Sequence, residues 1–319
     1  MDNSHLDRRQ ILKATAVAAG GSLALPAIFN SPATAKEPPT GKDAFHFCFN
    51  TSTIRGQKLS VPDQIDVAAK AGYDAVELWL GDLHKHVDTG GKLADLRKQL
   101  TDAKLTVESA IGFARWIVDD EAQRKKGLEN AKRDMDVLTQ IGAKRIAAPP
   151  AGASGPIDLT KAGQRYRVLL ELGDEMGIVP QVECWGPSKA LSRLSQTAFV
   201  AIESGHAKAC ILPDVYHMFR GGSDFDGLKL LDGRAIQVFH VNDYPESPAR
   251  EEMNDSHRVY PGEGVAPLNT IFRDLAANGF NGHLSLELFN RDYWQQNPLS
   301  VAKTGLEKTR EAVARALEG

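Results

Sequence analysis

The chain has 319 residues, with 38 Lys and Arg against 41 Asp and Glu, a formal net charge of −3. Its 42% hydrophobic content, 28 Gly and 16 Pro are those of a globular protein and exclude a disordered or collagen-like chain. The near-neutral balance offers no long-range pull on nucleic acid or anionic lipid. Cys48, Cys184 and Cys210 are too few and scattered for a disulfide scaffold or zinc ribbon, and their apolar surroundings read as reduced core thiols.

At the N-terminus, Asp7-Arg8-Arg9-Gln10-Ile11-Leu12-Lys13 precedes a weakly hydrophobic stretch from Ala14 to Phe29. Ala33-Thr34-Ala35 then has the small-x-small form of a cleavage site. Together these read as an export signal. The paired arginines, two aliphatics and Lys resemble the twin-arginine type, with Asp7 where Ser or Thr is usual. About 15 apolar residues fall short of the roughly 20 that span a bilayer. Residues 1–35 are therefore expected to be a signal handled by the twin-arginine export machinery, placing the protein in the periplasm. Residues 36–44, with two prolines and a glycine, read as a linker. Removing three basic and two acidic residues with the signal leaves 35 against 39, a balance of −4. Export in the folded state suits an enzyme that takes a metal or cofactor first.

From residue 45 to 319 short apolar runs alternate with amphipathic stretches in the rhythm of βα units. The runs are Phe45–Phe49, Ala75–Trp79, Leu105–Ala110, Arg145–Ala148, Ile178–Glu183, Ala209–Asp214, Ile236–Val241 and His283–Leu288. Helical patterns lie between them. Gln64–Ala71 follows the start signal Ser60-Val-Pro-Asp63, and Asp119–Ile141, Leu159–Met176, Leu191–Ser204 and Pro267–Asn278 each end at a glycine. Eight units of about 35 residues predict a single-domain (β/α)8 TIM barrel. A doubly wound sheet is the rival, but no strand is followed by G-x-G-x-x-G or G-x-x-x-x-G-K-[ST]. Residues 244–264, polar and rich in Pro and Gly, form the longest gap, and loops of that length are usually functional.

A parallel barrel carries its chemistry at the C-terminal strand ends. There the chain places Glu183, Asp214, His240 and Glu287 on four consecutive strands, each after apolar residues. Carboxylates in such runs must be paired, protonated or bound to a cation, since desolvating one alone costs several kcal/mol. Three of them with one imidazole suit one divalent metal, Mn²⁺ taken first, with Mg²⁺, Co²⁺ or Zn²⁺ also fitting. Around them, His217, Lys189, Asp255, His257 and Glu77 are candidate substrate contacts, and Trp185 and Trp116 candidate walls for a sugar face. His84 and His86 read as surface loop.

Gln-Val-Glu183-Cys-Trp, Leu-Pro-Asp214-Val-Tyr-His217, Phe-His240-Val-Asn-Asp, Pro261-Gly-Glu-Gly264 and Leu-Ser-Leu-Glu287-Leu, in that order, resemble the xylose isomerase-like TIM-barrel superfamily. Ala71-Gly-Tyr-Asp-Ala-Val-Glu77-Leu is similar to its second strand, and the likeness runs over about residues 45–315. The superfamily includes sugar isomerases and epimerases, inosose dehydratases and isomerases, and endonuclease IV. The resemblance to its ketose 3-epimerases implies metal binding by Glu183, Asp214, His240 and Glu287. It also implies an acid/base pair of Glu183 and Glu287, with His217 on a substrate oxygen. The implied reaction is α-proton transfer in a small keto-sugar through a metal-stabilised enediolate.

Two departures shape the expectation. Lys189 stands where epimerases often carry a further Glu, which leaves open metal-assisted β-elimination from a keto-sugar or keto-glycoside. Asp255-x-His257 resembles part of endonuclease IV's three-zinc cluster, but Glu108-Ser-Ala110 and Ala147-Ala-Pro-Pro150 lack the histidines that cluster needs on earlier strands. With no basic stripe either, nucleic acid is not an expected partner. A sugar isomerase or epimerase is thus the leading expectation, a lyase the second and a non-catalytic carbohydrate-binding barrel the third. A homo-oligomer is left open.

Overall fold

Each expected apolar run overlaps a strand in the computed structural model, which describes residues 45–318; the expected signal lies outside the described residues, as does the linker. The strands are β1 (His46–Asn50), β2 (Ala75–Trp79), β3 (Thr106–Ile111), β4 (Arg145–Ala148), β5 (Val179–Glu183), β6 (Ile211–Leu212), β7 (Val238–Val241) and β8 (His283–Leu286). The helices are α1 (Val61–Ala71), α2 (Leu80–Asp88), α3 (Leu93–Asp102), α4 (Glu121–Ile141), α5 (Leu159–Met176), α6 (Leu194–Glu203), α7 (Val215–Arg220), α8 (Leu268–Ala277) and α9 (Pro298–Leu317). No helix among the described residues is long and apolar enough to cross a membrane.

All strand ladders are parallel, and they form two sheets, β3-β2-β1-β8-β7 and β4-β5-β6. Single hydrogen bonds join the sheets into the barrel. Lys144 N donates to Val107 O at 3.1 Å on one side, and His240 N to Pro213 O at 2.9 Å on the other. Isolated bridges pair Ile211 with Ile236 and Asp214 with His240. Inside, Ile111, Ala147, Leu212 and Val238 make one buried layer, with Trp79 packed on it. The opposite end of the barrel is held by Glu108, buried and paired with Lys144 at 2.5 Å and Arg145 at 2.8 Å. The fold is the expected TIM barrel.

Local chemistry accounts for most boundaries. Asp120 and Asp158 cap α4 and α5, and Ser60 caps α1 with Pro62 in its first turn. Gly72, Gly142 and Gly177 end those helices at φ 91°, 77° and 71°, a region that side chains with a Cβ avoid. Strand β6 is shorter than expected, because Pro213 has no N–H to give a ladder and Asp214 already caps α7. Helices α2, α3, α7 and α9 were not expected: α2 and α3 have no side-chain cap to announce them, α7 is a short helix capped by the site residue Asp214, and α9 was missed although Asn297 caps it and Pro298 opens it.

Gly173 sits inside α5, where glycine otherwise costs helix stability. A Cβ there would lie 2.4 Å from the Ile178 carbonyl oxygen and 2.7 Å from Pro180 Cδ, so the residue is dictated by the approach of β5. Gly173→Ala is expected to destabilise the barrel by about 1–3 kcal/mol despite alanine's better helix propensity. Urea denaturation checks this; a variant as stable as its parent contradicts the close approach.

Candidate active site

Strand direction delivers the acidic residues to one end. Glu183 closes β5, Asp214 follows β6 and caps α7 by accepting from His217 N at 2.8 Å, His240 lies on β7, and Glu287 follows β8. All four are buried, Asp214 and His240 completely. His240 Nδ1 lies 3.3 Å from Glu287 Oε2 and 3.6 Å from Asp214 Oδ2. One ligand atom from each of Asp214, His240 and Glu287 falls within 4.8 Å of the others. Glu183 stands outside that trio as a neighbouring carboxyl. Burial pushes its pKa up to about 8; His240 opposes the rise, and Glu287 and Asp214 add to it.

A cation not anticipated from the sequence stands among these carboxylates. Arg258, fully buried, donates from one terminal nitrogen to Asp214 Oδ2 at 2.8 Å and Glu287 Oε2 at 2.9 Å. Its other terminal nitrogen reaches Asp255 Oδ1 at 2.6 Å and His217 Nε2 at 3.1 Å. A guanidinium only donates, so His217 Nε2 accepts and the ring's proton sits on Nδ1. Burial, above all, lowers the His217 pKa, which keeps the ring neutral. Burial penalises the Asp214 charge, but Arg258 foremost, with His240, outweighs that and holds its carboxyl well below the usual range. Convergence of acids therefore does not by itself demand a metal, as the sequence alone suggested.

The donor set nevertheless fits one. His240 Nε2 is 2.8 Å from Glu77 Oε2, so that nitrogen carries a proton and Nδ1 is the atom turned toward Asp214 and Glu287. That Nδ1 is buried with no hydrogen-bond partner among the described residues, as is His217 Nδ1. An imidazole nitrogen facing two carboxylates, its ring braced from behind by a third, is the chemistry of a divalent-cation site.

Glu77 is therefore displaced from the substrate role expected of it. It is fully buried and accepts from Asn50 and Ser285, both at 2.8 Å, as well as from His240. Trp116 is a second correction: it is 1% exposed, its Nε1 donates to the Pro149 carbonyl, and it packs on Tyr166 as core. Trp185 stands half-buried at the mouth, 6.4 Å from the Phe113 ring. Lys189 is exposed and makes no ion pair among the described residues. Asp255 orients Arg258, whereas His257 Nδ1 accepts from Asn254 N at 3.0 Å and closes its own turn.

Sequence reasoning missed Arg258, Asn50, Ser285 and Asn242. Asn50 donates to both Glu77 and Glu287, at 2.8 and 3.1 Å, and Asn242 to both Asp214 oxygens at 3.3 Å. The long polar gap was the available signal for Arg258. Asp243 shapes that segment: its carboxylate accepts from Tyr244, Gly262, Gly264 and Ala266 N–H groups at 2.8–3.1 Å, and its backbone pairs with Val259. The Pro261–Gly264 motif is thus a turn wrapped on Asp243, two residues beyond Val259, whose bridge to Asp243 directly follows Arg258.

The chain belongs to the xylose isomerase-like TIM barrel family, whose model matches residues 65–312. It is an enzyme of the isomerase and epimerase type. The inosose isomerase of Bacillus velezensis is 25% identical over 84% of this chain and 97% of its own. A 3-dehydroshikimate dehydratase of Pseudomonas aeruginosa is 26% identical over 80% of this chain, which spans only 41% of that longer protein. Among solved structures, the IOLI protein with a bound zinc atom superposes with a TM-score of 0.80 at 21% identity, over 85% of this chain and 99% of that one.

Two outcomes test the electrostatics. Arg258→Met strands the Asp214 and Glu287 charges and is expected to destabilise the metal-free protein by about 3–5 kcal/mol, measured by urea denaturation. The second concerns Glu183. Its folded pKa of about 8 against an ordinary 4.5 means that the folded state holds an extra proton between those values. Its stabilising contribution is whole below 4.5 and lost as pH rises through about 8. Thermal unfolding in chelator should show that decline, and Glu183→Gln should flatten it.

Proposed function

We propose that this barrel is a divalent-metal-dependent isomerase or epimerase of a small keto-sugar, working by proton transfer at the carbon beside the carbonyl. The observation that carries the reading is a pair of carboxyls in unlike surroundings. Glu287 is hydrogen-bonded by Arg258 and Asn50, whereas Glu183 stands beside the trio with no cation paired to it among the described residues, and burial raises its pKa to about 8 in the metal-free protein. Two carboxyls differently held at one site can serve the two sides of a proton transfer.

Asp214, His240 and Glu287, with Glu183 beside them, would hold the ion, which when bound polarises a ketone and stabilises the negative charge of the deprotonated sugar. Mn²⁺ and zinc both suit carboxylates with one imidazole, and the zinc in the IOLI protein supports the latter. Glu77 keeps the His240 ring oriented and its Nε2 protonated. Glu183 and Glu287 exchange a proton with the α-carbon. His217 offers its unpartnered Nδ1–H to a substrate oxygen, and Arg258 neutralises Asp214 and Glu287 while the sugar binds.

The second reading is a lyase. The same abstraction followed by loss of a β-substituent is an elimination, and the likeness to a dehydratase supports it. The export signal at residues 1–35, supported by Arg8-Arg9 and Ala33-Thr34-Ala35, would place either reaction in the periplasm.

Keto-sugars incubated with the zinc- or manganese-loaded protein in D₂O test the reading. Deuterium should appear by NMR at the carbon beside the ketone, and should be lost in chelator and in Glu183→Gln. Isomerised product without solvent deuterium overturns proton transfer; appearance of an unsaturated ketone with a released group selects the lyase.

A further inference from the structure

The barrel mouth is divided. Strands β5 to β8 supply most of the acidic centre, and an arc of aromatic rings carried beyond or at the ends of β8, β2, β3 and β5 closes the rest of the mouth. Trp79 at the end of β2 lies 5.7 Å from Phe113 beyond β3 and 5.9 Å from Phe289 beyond β8; Phe113 in turn approaches Trp185. Phe113 is 49% exposed, an unusual state for a phenyl ring in a rigid frame. The arc is coupled to the acidic centre: Trp79 Nε1 donates to Asn50 Oδ1 at 3.0 Å, and Asn50 reaches Glu77 and Glu287 with its amide.

Beyond Trp79 and Phe113 runs a groove of about 570 Å³, between α2 and α4, within the ~300–1,000 Å³ of small-molecule sites. Its polar lining includes Arg55 and Asp88, besides Asn130, which accepts a hydrogen bond from Arg133, and His84 and Asp134, which bind one another at 2.6 Å. The Arg55 guanidinium lies 4.1 Å from the Trp79 ring centroid, held by cation–π attraction. Neither Arg55 nor Asp88 has an ion-pair partner among the described residues.

We propose that this groove is a second sugar-ring subsite, so that the substrate is a keto-glycoside whose attached ring lies against Phe113 and Trp79. The proposal rests on the proposed function for the ring in the acidic half. Three features select the occupant. The exposed phenyl face suits the C–H face of a pyranose. The Asp88 carboxylate and the Arg55 guanidinium suit hydroxyl pairs, each able to make two hydrogen bonds. Two arginines balanced by two aspartates disfavour a phosphate, and so many polar edges disfavour a flat aromatic substituent.

Calorimetry on the full chain in chelator tests the subsite without calling on the metal reaction. The probes are cellobiose, maltose, lactose, sucrose and trehalose, against glucose, glucose 6-phosphate and 4-nitrophenyl β-D-glucopyranoside. At least one disaccharide should bind about tenfold more tightly than glucose. Phe113→Ala and Asp88→Ala, both at exposed positions, should each weaken it about fivefold, with melting temperatures confirming the fold. The inference is overturned if no disaccharide binds, if neither substitution weakens binding, or if the phosphate or nitrophenyl compound binds more tightly than every disaccharide. Disaccharide binding without deuterium exchange on any keto-sugar would sink the catalytic reading and leave the subsite. Exchange on free ketoses with no disaccharide binding would do the reverse.

Discussion

Burying several carboxylates in one place governs this molecule. Asp214 and Glu77 have no exposure to water and Glu287 almost none, and each ionised group costs several kcal/mol to desolvate unless an opposite charge lies in contact. The barrel meets that demand with Arg258 and His240. Arg258 must arrive from outside the strands, because barrel interior positions near the mouth are already committed. A long connection after β7 delivers it, and the Asp243 carboxylate gathers the backbone of that connection into a fixed turn. Tyr216 and Phe289 sandwich the guanidinium at 4.7 and 5.1 Å, replacing water with aromatic faces.

The same constraint explains the order of the surrounding polar groups. Asn50 and Ser285 donate to Glu77, Glu77 holds His240, and His240 turns its Nδ1 toward Asp214 and Glu287. Each member fixes the rotamer of the next, so the donor atoms are assembled before any ligand enters. Preorganisation of this kind lets binding energy act on the substrate rather than on ordering the protein.

How much of this could be read from the amino acids follows from range. Gly72, Gly142 and Gly177 announce helix ends because left-handed backbone is a local property, and apolar runs ending in Glu183, Asp214, His240 or Glu287 announce strand exits for the same reason. The acidic centre was therefore legible. Arg258 was not, since its partners lie 44 and 29 residues away, and nothing in its neighbourhood marks it as buried. Trp116 was misplaced because a tryptophan beyond a strand reads equally well as wall or core; the Pro149 carbonyl that accepts its N–H decides for core. Helices α2 and α3 lack capping side chains, so packing alone defines them.

The sheets β3-β2-β1-β8-β7 and β4-β5-β6 share no continuous ladder, and one junction between them runs from Pro213 to His240. Glu183 and Asp214 stand on one side of that junction, and His240, Glu287 and Glu77 on the other. Arg258, gripping Asp214 and Glu287 together, is the clasp across the gap. Whatever is bound by those two carboxylates also ties the two sheets together at the mouth, so filling the centre and stiffening the scaffold are one mechanical event.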